Sequence, residues 1–309
     1  VLDNGKTMAA FIKIDAIGVS RKLRDDLEAT AKSLGIPREH LIVSATHTHG
    51  GPGAVSEQKI WELIAIDCLD QLTYQTMLNG IRKALLLAAS NMSVAKIGIG
   101  STIEKRVSKN RMDNPGKFDP ELGLIKVVDA ATGKPIAALL NFAVHGTCLG
   151  ASNMKFSADL MGKTEDSLEK ALGGGVAMFI NGAEGDVAPK MGGDAGIKFI
   201  GETLAATTAG LWATVTTKSW LEIKGTFVDE KMPKPTFNGC LPLFGAGSMT
   251  LCDIIPLAKN LPLDAFMQKV LPFGALRLGD AVFAALPGEA ITRMQGQAKA
   301  IDLSITLYA

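Results

Sequence analysis

Apolar positions mark out the elements along the chain. Residues 8–14 (MAAFIKI) form an apolar run of strand length, and over 20–34 the positions Leu23, Leu27, Ala31 and Leu34 recur at helical spacing. Ser20 stands where such a helix needs a cap, and Gly35 with Pro37 stops it. Residues 41–46 (LIVSAT) predict a second strand. Over 58–88 the positions Ile60, Ile64, Cys68 and Leu72, then Met77, Ile81 and Leu85, recur every four residues, which predicts one long helix. Strands follow at 94–98, 122–129 and 136–143, the last two joined by the turn-forming segment 130–135 (AATGKP). A helix over 159–171, a strand over 176–180 and a helix over 194–215 come next. The chain closes with a hairpin (275–278 and 281–286), a helix from about Ala290 and a strand over 303–307.

Alternating strands and helices with a hairpin in the middle predict an α/β fold: a layered domain around a mixed β-sheet with helices on its faces, and an active site at the carboxyl ends of the strands. Residues 1–309 read as one domain. Residues 229–272 break the pattern, holding six of the thirteen prolines among apolar residues such as Phe237, Leu243, Phe244, Ile254 and Ile255. They read either as an irregular excursion packed on the domain or as a flap beside a pocket.

Composition narrows the partner. Lys plus Arg number 32 against 31 Asp plus Glu, so neither nucleic acid nor an acidic membrane surface is expected, and a small molecule is. The uncharged stretch 235–252 is broken by Pro and Gly, and 203–217 is short and Thr-rich, so no transmembrane segment is expected. Cys68, Cys148, Cys240 and Cys252 form no CxxC pair, which argues against a disulfide framework or a thiolate metal site; a single Cys240–Cys252 pairing stays open. Cys68, inside the helical pattern, reads as a buried thiol. Val1 is no initiator Met, so the chain reads as a processed form or a fragment, and its start carries no address.

Histidine is scarce and pointedly placed. Three of the four follow predicted strands: His47 and His49 in SATHTHGGPG (44–53), and His145 in NFAVHGT (141–147). Residues i and i+2 at a strand end point the same way, so His47 and His49 are expected to face one site. His40 lies in a polar loop and reads as a surface residue. Catalytic zinc commonly takes three ligands from His, Asp and Glu and leaves one position open. Carboxylates sit at matching places. Glu289 ends LPGE (286–289) and reads either as a ligand or as a first-turn Glu facing a helix dipole. Asp159 reads as a site carboxylate or as an N-cap. Gly185 and Asp186 lie with Glu184 in NGAEGDVAP (181–189), a loop whose amides are candidates for cradling an anion or oxyanion.

These four motifs, in this order and in these strand contexts, resemble the N-terminal catalytic domain of the neutral, non-lysosomal ceramidase family, from about residue 6 to the chain end. The resemblance implies a zinc-dependent amidohydrolase that splits N-acylsphingosine into fatty acid and sphingoid base, and hence a small amphiphilic N-acyl substrate. It implies zinc ligands at His47, His145 and Glu289, a transition-state histidine at His49, and a substrate-contacting arginine at Arg111. Relatives are often secreted or surface-associated, which implies a secreted or periplasmic setting. The chain departs from the family in having Ala188 where relatives carry Ser, and in stopping before the Tyr that supplies a fourth ligand. The family's opening segment and its C-terminal immunoglobulin-like domain are not in this chain. Two other readings stay open: a binding or scaffold protein that kept the fold, and a metal-dependent hydrolase of another ester or of a phosphoester, with Asp15, Asp159 and Asp186 as further carboxylates.

Overall fold

The computed structural model describes residues 1–58, 62, 66–112, 117–232, 236–237, 261–262, 269–301 and 305–308. Strands β1 (Leu2–Asp3), β2 (Met8–Ile14) and β3 (Leu41–Ala45) make one sheet, with β2 and β3 parallel across the helix α1 (Arg21–Ser33). Ser20 caps α1 through a hydrogen bond from Leu23 N, as its sequence position requires. Helix α2 (Gln71–Ser90) packs beside α1.

The second sheet contains β4 (Ala95–Ile103), β6 (Glu121–Asp129), β7 (Pro135–Phe142) and β8 (Val176–Asn181), in that spatial order. The short β5 (Ser108–Asn110) lies between β4 and β6 in the chain. The sheet is mixed, with β7 and β8 parallel across α3 (Asp159–Leu172). Strand β9 (Val187–Pro189) pairs with β5, and α4 (Gly193–Thr214) lies on α3. In the last third, β10 (Ile223–Lys231), β13 (Val270–Leu278), β14 (Ala281–Ala285) and β15 (Ile305–Tyr308) form a sheet; β11 (Thr236–Phe237) pairs with β12 (Leu261–Pro262), and α5 (Thr292–Ile301) precedes β15.

Period-2 alternation distributes each strand between two cores. Leu140 and Phe179 point toward α3 and α4, where they meet Leu160, Leu168, Ile200 and Leu204. Their neighbours Leu139 and Ile180 point the other way, into an apolar layer shared with Ala9, Ile42, Ile223, Leu276 and Phe283. Ala10, Ile12 and Ile14 turn to α1 and α2 and meet Leu23, Leu27, Tyr74 and Leu78. The α/β class with helices on sheet faces is therefore the observed one, although the strands are divided among several sheets.

Local expectations change in four places. Residues 66–70 interrupt the helix expected over 58–88, and α2 starts at Gln71, where Asp70 accepts a hydrogen bond from Thr73 N and its own amide is held by Ala54 O. Cys68 consequently precedes the helix and is exposed, while Ile60 and Ile64 lie outside the described residues. His40 is buried: its Nδ1 lies 3.0 Å from Met8 O and 3.2 Å from Thr7 Oγ1, and Gly225 of β10 packs over its ring. The two ends of the supposed irregular excursion are regular strand, with Asp229 paired to Pro272 and Lys231 to Val270. Of the segment between them, Met232, β11, β12 and Lys269 are described, and Cys240, Cys252, Leu243, Phe244, Ile254 and Ile255 fall outside the described residues. No helix among the described residues is long and apolar enough to cross a membrane.

Candidate metal centre

The ends of β3 and β7 bring three histidines together. Beyond β3, Thr48 forms a parallel bridge with Gly146, and His49 N donates to Gly146 O at 3.2 Å. A Cβ on Gly146 would stand 2.8 Å from Thr48 Cα and 2.9 Å from His47 O, so only glycine lets the two strand ends approach this closely. His47 adopts φ +59°, a left-handed conformation rare for a side chain of this size and typical of functional turns. His47 and His49 do face one site, with their Nε2 atoms 3.4 Å apart, and the ligand atoms of His47, His49 and His145 all lie within 4.8 Å of one another.

Backbone carbonyls fix two of the rings. His47 Nδ1 is 2.7 Å from Ile17 O, and His145 Nδ1 is 2.7 Å from Glu184 O and 3.2 Å from Val187 O. A carbonyl only accepts, so both Nδ1 atoms carry a proton there and both rings turn Nε2 toward the centre. Burial lowers His47 to about 4, with the neighbouring His145 and His49 acting in the same direction against Glu289. His49 is lowered by the same cause, with His145 next, although its side chain stands at the exposed rim of the cluster.

Glu289 arrives from the far end of the chain. Its Oε1 lies 3.5 Å from His47 Nε2 and its Oε2 3.4 Å from His145 Nε2. Hydrogen bonding to His145 outweighs partial burial, and with His47 and Arg111 nearby the carboxyl falls to about 2. At neutral pH the cluster therefore presents a neutral His47 beside an ionised Glu289, the protonation states that metal ligands need. The spacing fits as well. Zinc–ligand bonds of about 2.0–2.1 Å place tetrahedral donors about 3.3–3.4 Å apart.

The other expected residues surround this cluster. Arg111 donates from Nε (3.1 Å) and Nη2 (2.7 Å) to Gly185 O, and its Nη2 is 3.7 Å from Glu289 Oε2. Asp186 accepts from Asn110 Nδ2 and from the amide and hydroxyl of Thr292. The loop's amides at Gly182, Glu184, Gly185 and Val187 all donate to backbone carbonyls, so these four are engaged within the fold rather than turned to a ligand. Glu184 is buried there, and desolvation pushes its carboxyl up to about 8. Asp159, at φ +51°, accepts from the amides of Cys148, Leu149 and Leu160, bracing the segment just after His145. Ala188 pairs with Lys109 in the β5–β9 ladder.

Sequence reasoning missed Asn181. Its buried side chain donates to Thr46 O and Val144 O and accepts from the amides of Val144 and Gly182, which locks the ends of β3, β7 and β8 together. The available signal was a lone Asn closing the apolar strand VAMFIN.

Residues 1–202 match the family described as Neutral/alkaline non-lysosomal ceramidase, N-terminal. Among curated proteins, the neutral ceramidase of Oryza sativa is 27% identical over 183 residues, which is 54% of this chain and 23% of that protein. The neutral ceramidase of Pseudomonas aeruginosa is 26% identical over 176 residues, 52% of this chain and 26% of that protein. The crystal structure of the Pseudomonas aeruginosa neutral ceramidase superposes with a TM-score of 0.74 at 20% identity, covering 97% of this chain and 59% of that one. A structure described as ceramidase complexed with C2 gives a TM-score of 0.77 at 18% identity, with the same coverage. The chain thus spans well under two thirds of these relatives, and Glu289 lies beyond the segment matched to the family. His47, His49, Arg111 and His145 all lie within that segment, and the chain belongs to the neutral/alkaline non-lysosomal ceramidase family.

Proposed function

We propose that the chain hydrolyses an N-acyl amide of the ceramide type and that the reaction depends on zinc held by His47, His145 and Glu289. One observation carries the reading: two histidines held through Nδ1 turn Nε2 toward one ionised carboxylate, His47 Nε2 lying 3.5 Å from Glu289 Oε1 and His145 Nε2 3.4 Å from Oε2, close to the donor–donor spacing of about 3.3–3.4 Å around zinc. Zinc, when bound, supplies a Lewis acid for the scissile carbonyl and lowers the pKa of water from about 15.7 toward about 7. His49, neutral and at the exposed rim, takes a proton from the attacking water and delivers one to the leaving amine nitrogen as the carbon–nitrogen bond breaks. Arg111, fixed on Gly185 O, holds a substrate oxygen beside Glu289. Ala188 has no hydroxyl, so the reading assigns attack to water and not to a side chain at that position.

Apolar surface at the rim supports an amphiphilic substrate. Met154 and Phe156 are 91% and 84% exposed, on the loop whose Ser157 bonds to Gly50 and Thr48 beside His49. The names of the matched relatives support ceramide as the first substrate to try. Incubating the chain with N-acylated sphingoid bases, simpler N-acyl amines and esters, with and without zinc, tests the reading. Zinc-dependent release of fatty acid from the sphingoid amides is expected; zinc-independent turnover, or turnover of esters alone, would refute it.

The 3.4 Å between the Nε2 atoms of His47 and His49 also favours a second reading, in which His49 is itself a ligand and four protein donors close the set. His49→Ala separates the two. Retained zinc with lost turnover selects the first reading, and lost zinc selects the second.

A further inference from the structure

The three proposed ligands are not held equally well. His47 and His145 are buried and pinned through Nδ1, whereas Glu289 is 36% exposed and follows Gly288, whose φ of +85° marks a tight turn. Among the described residues no backbone group hydrogen-bonds to the Glu289 carboxylate, so its place depends on how the chain around it is fastened. Two adjacent residues of the 181–187 loop do that fastening. Gly185 N donates to Ala290 O at 2.8 Å, and a Cβ at Gly185 would stand 2.7 Å from Glu289 O. Asp186 Oδ1 accepts from both Thr292 N and Thr292 Oγ1 at 2.8 Å, at the start of α5.

The other Asp186 oxygen reaches a different element. Oδ2 accepts from Asn110 Nδ2 at 2.8 Å, while Arg111 N donates to Asp186 O at 2.7 Å. Asn110 is not free to turn over, because its Oδ1 accepts from Met112 N and its Nδ2 also donates to Lys117 O. One carboxylate thus joins the strand leading into Arg111 to the first turn after Glu289. The joint calls for Asp specifically: an Asn at 186 could accept from Thr292 only by presenting its NH2 to the NH2 of Asn110.

We propose that Asp186 is a positioning residue for the metal centre, holding the Glu289 segment, and with it the Glu289 carboxylate, in register with His47 and His145. The inference rests on the metal reading given above. It is tested by zinc affinity, measured in competition with a chromophoric chelator, for the wild-type chain, Asp186→Ala and Asp186→Asn. Asp129→Asn serves as a control, since Asp129 also accepts from backbone amides but in the β6–β7 turn, at the opposite end of β7 from His145.

Loss of a group that orients a ligand typically weakens metal binding about 10- to 100-fold. Asp186→Ala is expected to fall in that range with its helical circular dichroism intact, Asp186→Asn to fall between it and wild type, and the control to stay within about twofold. A folded Asp186→Ala chain that binds zinc within twofold of wild type would overturn the inference, as would an equal loss in the control. Should Asp186→Ala not fold, Asp186→Asn carries the same test: no loss of affinity overturns the inference. A wild-type chain that binds no zinc would sink the metal reading and this inference together, whereas a zinc-binding wild type with unaffected variants sinks the inference alone.

Discussion

At the scale of single residues, the proposed centre divides groups that would hold the metal from one that would act on the substrate. His47 and His145 spend Nδ1 on carbonyls and offer Nε2; His49 is exposed, with its Nε2 3.4 Å from that of His47. His47→Ala and His145→Ala are each expected to abolish stoichiometric zinc and turnover together, measured by elemental analysis and fatty-acid release. His49→Ala is expected to keep zinc and to lose about 10²–10⁴-fold in rate, the usual contribution of a positioned acid–base group. The histidines were legible in sequence because strand-end position and i, i+2 spacing are local properties. Asn181 and the partners of Asp186 were not, because each bonds to backbone or side chains contributed by segments far away in the chain.

At the scale of elements, docking depends on a few close or charged contacts. A Cβ at Gly225 would come within 2.1 Å of Glu39 O and 2.6 Å of the His40 ring, so β10 could not lie against the turn at Arg38–His40. Gly225→Ala is expected to cost about 1–3 kcal/mol, read as a lower denaturation midpoint. The same contact explains why His40 was expected at the surface: the strand that buries it is remote in sequence. Glu104, just after β4, accepts from Arg106 and from Thr207 of α4. Burial alone would raise its carboxyl, but these hydrogen bonds outweigh burial and hold it at about 2. A carboxyl depressed in the folded state stabilises the fold above its unfolded value near 4.5, and that stability disappears as pH falls through 4.5 toward 2. Glu104→Gln is therefore expected to be less stable than wild type at pH 7, with the difference closing by about pH 2–3 in thermal melts. The start of α2 at Gln71 also escaped periodicity, since a four-residue apolar repeat does not reveal where a cap such as Asp70 cuts it.

At the scale of the whole molecule, three apolar layers hold the strand ends in one place. Phe179, fully buried against α3 and α4, lies two residues before Asn181 at the end of the same strand. Phe179→Ala is expected to cost about 3–5 kcal/mol of stability by urea titration. The α/β class was legible because strands and helices alternate with clear periods; the division into several sheets was not, because period 2 says which face is apolar and not which strands pair. The family motifs located the histidines, but only the three-dimensional arrangement brings Glu289 within 3.4–3.5 Å of two of them. The most direct test is elemental analysis of the purified chain, paired with hydrolysis of an N-acylated sphingoid base before and after chelation. The account predicts one zinc per chain, loss of metal and hydrolysis together on chelation, and recovery of both when zinc is restored; hydrolysis that persists without metal would contradict it.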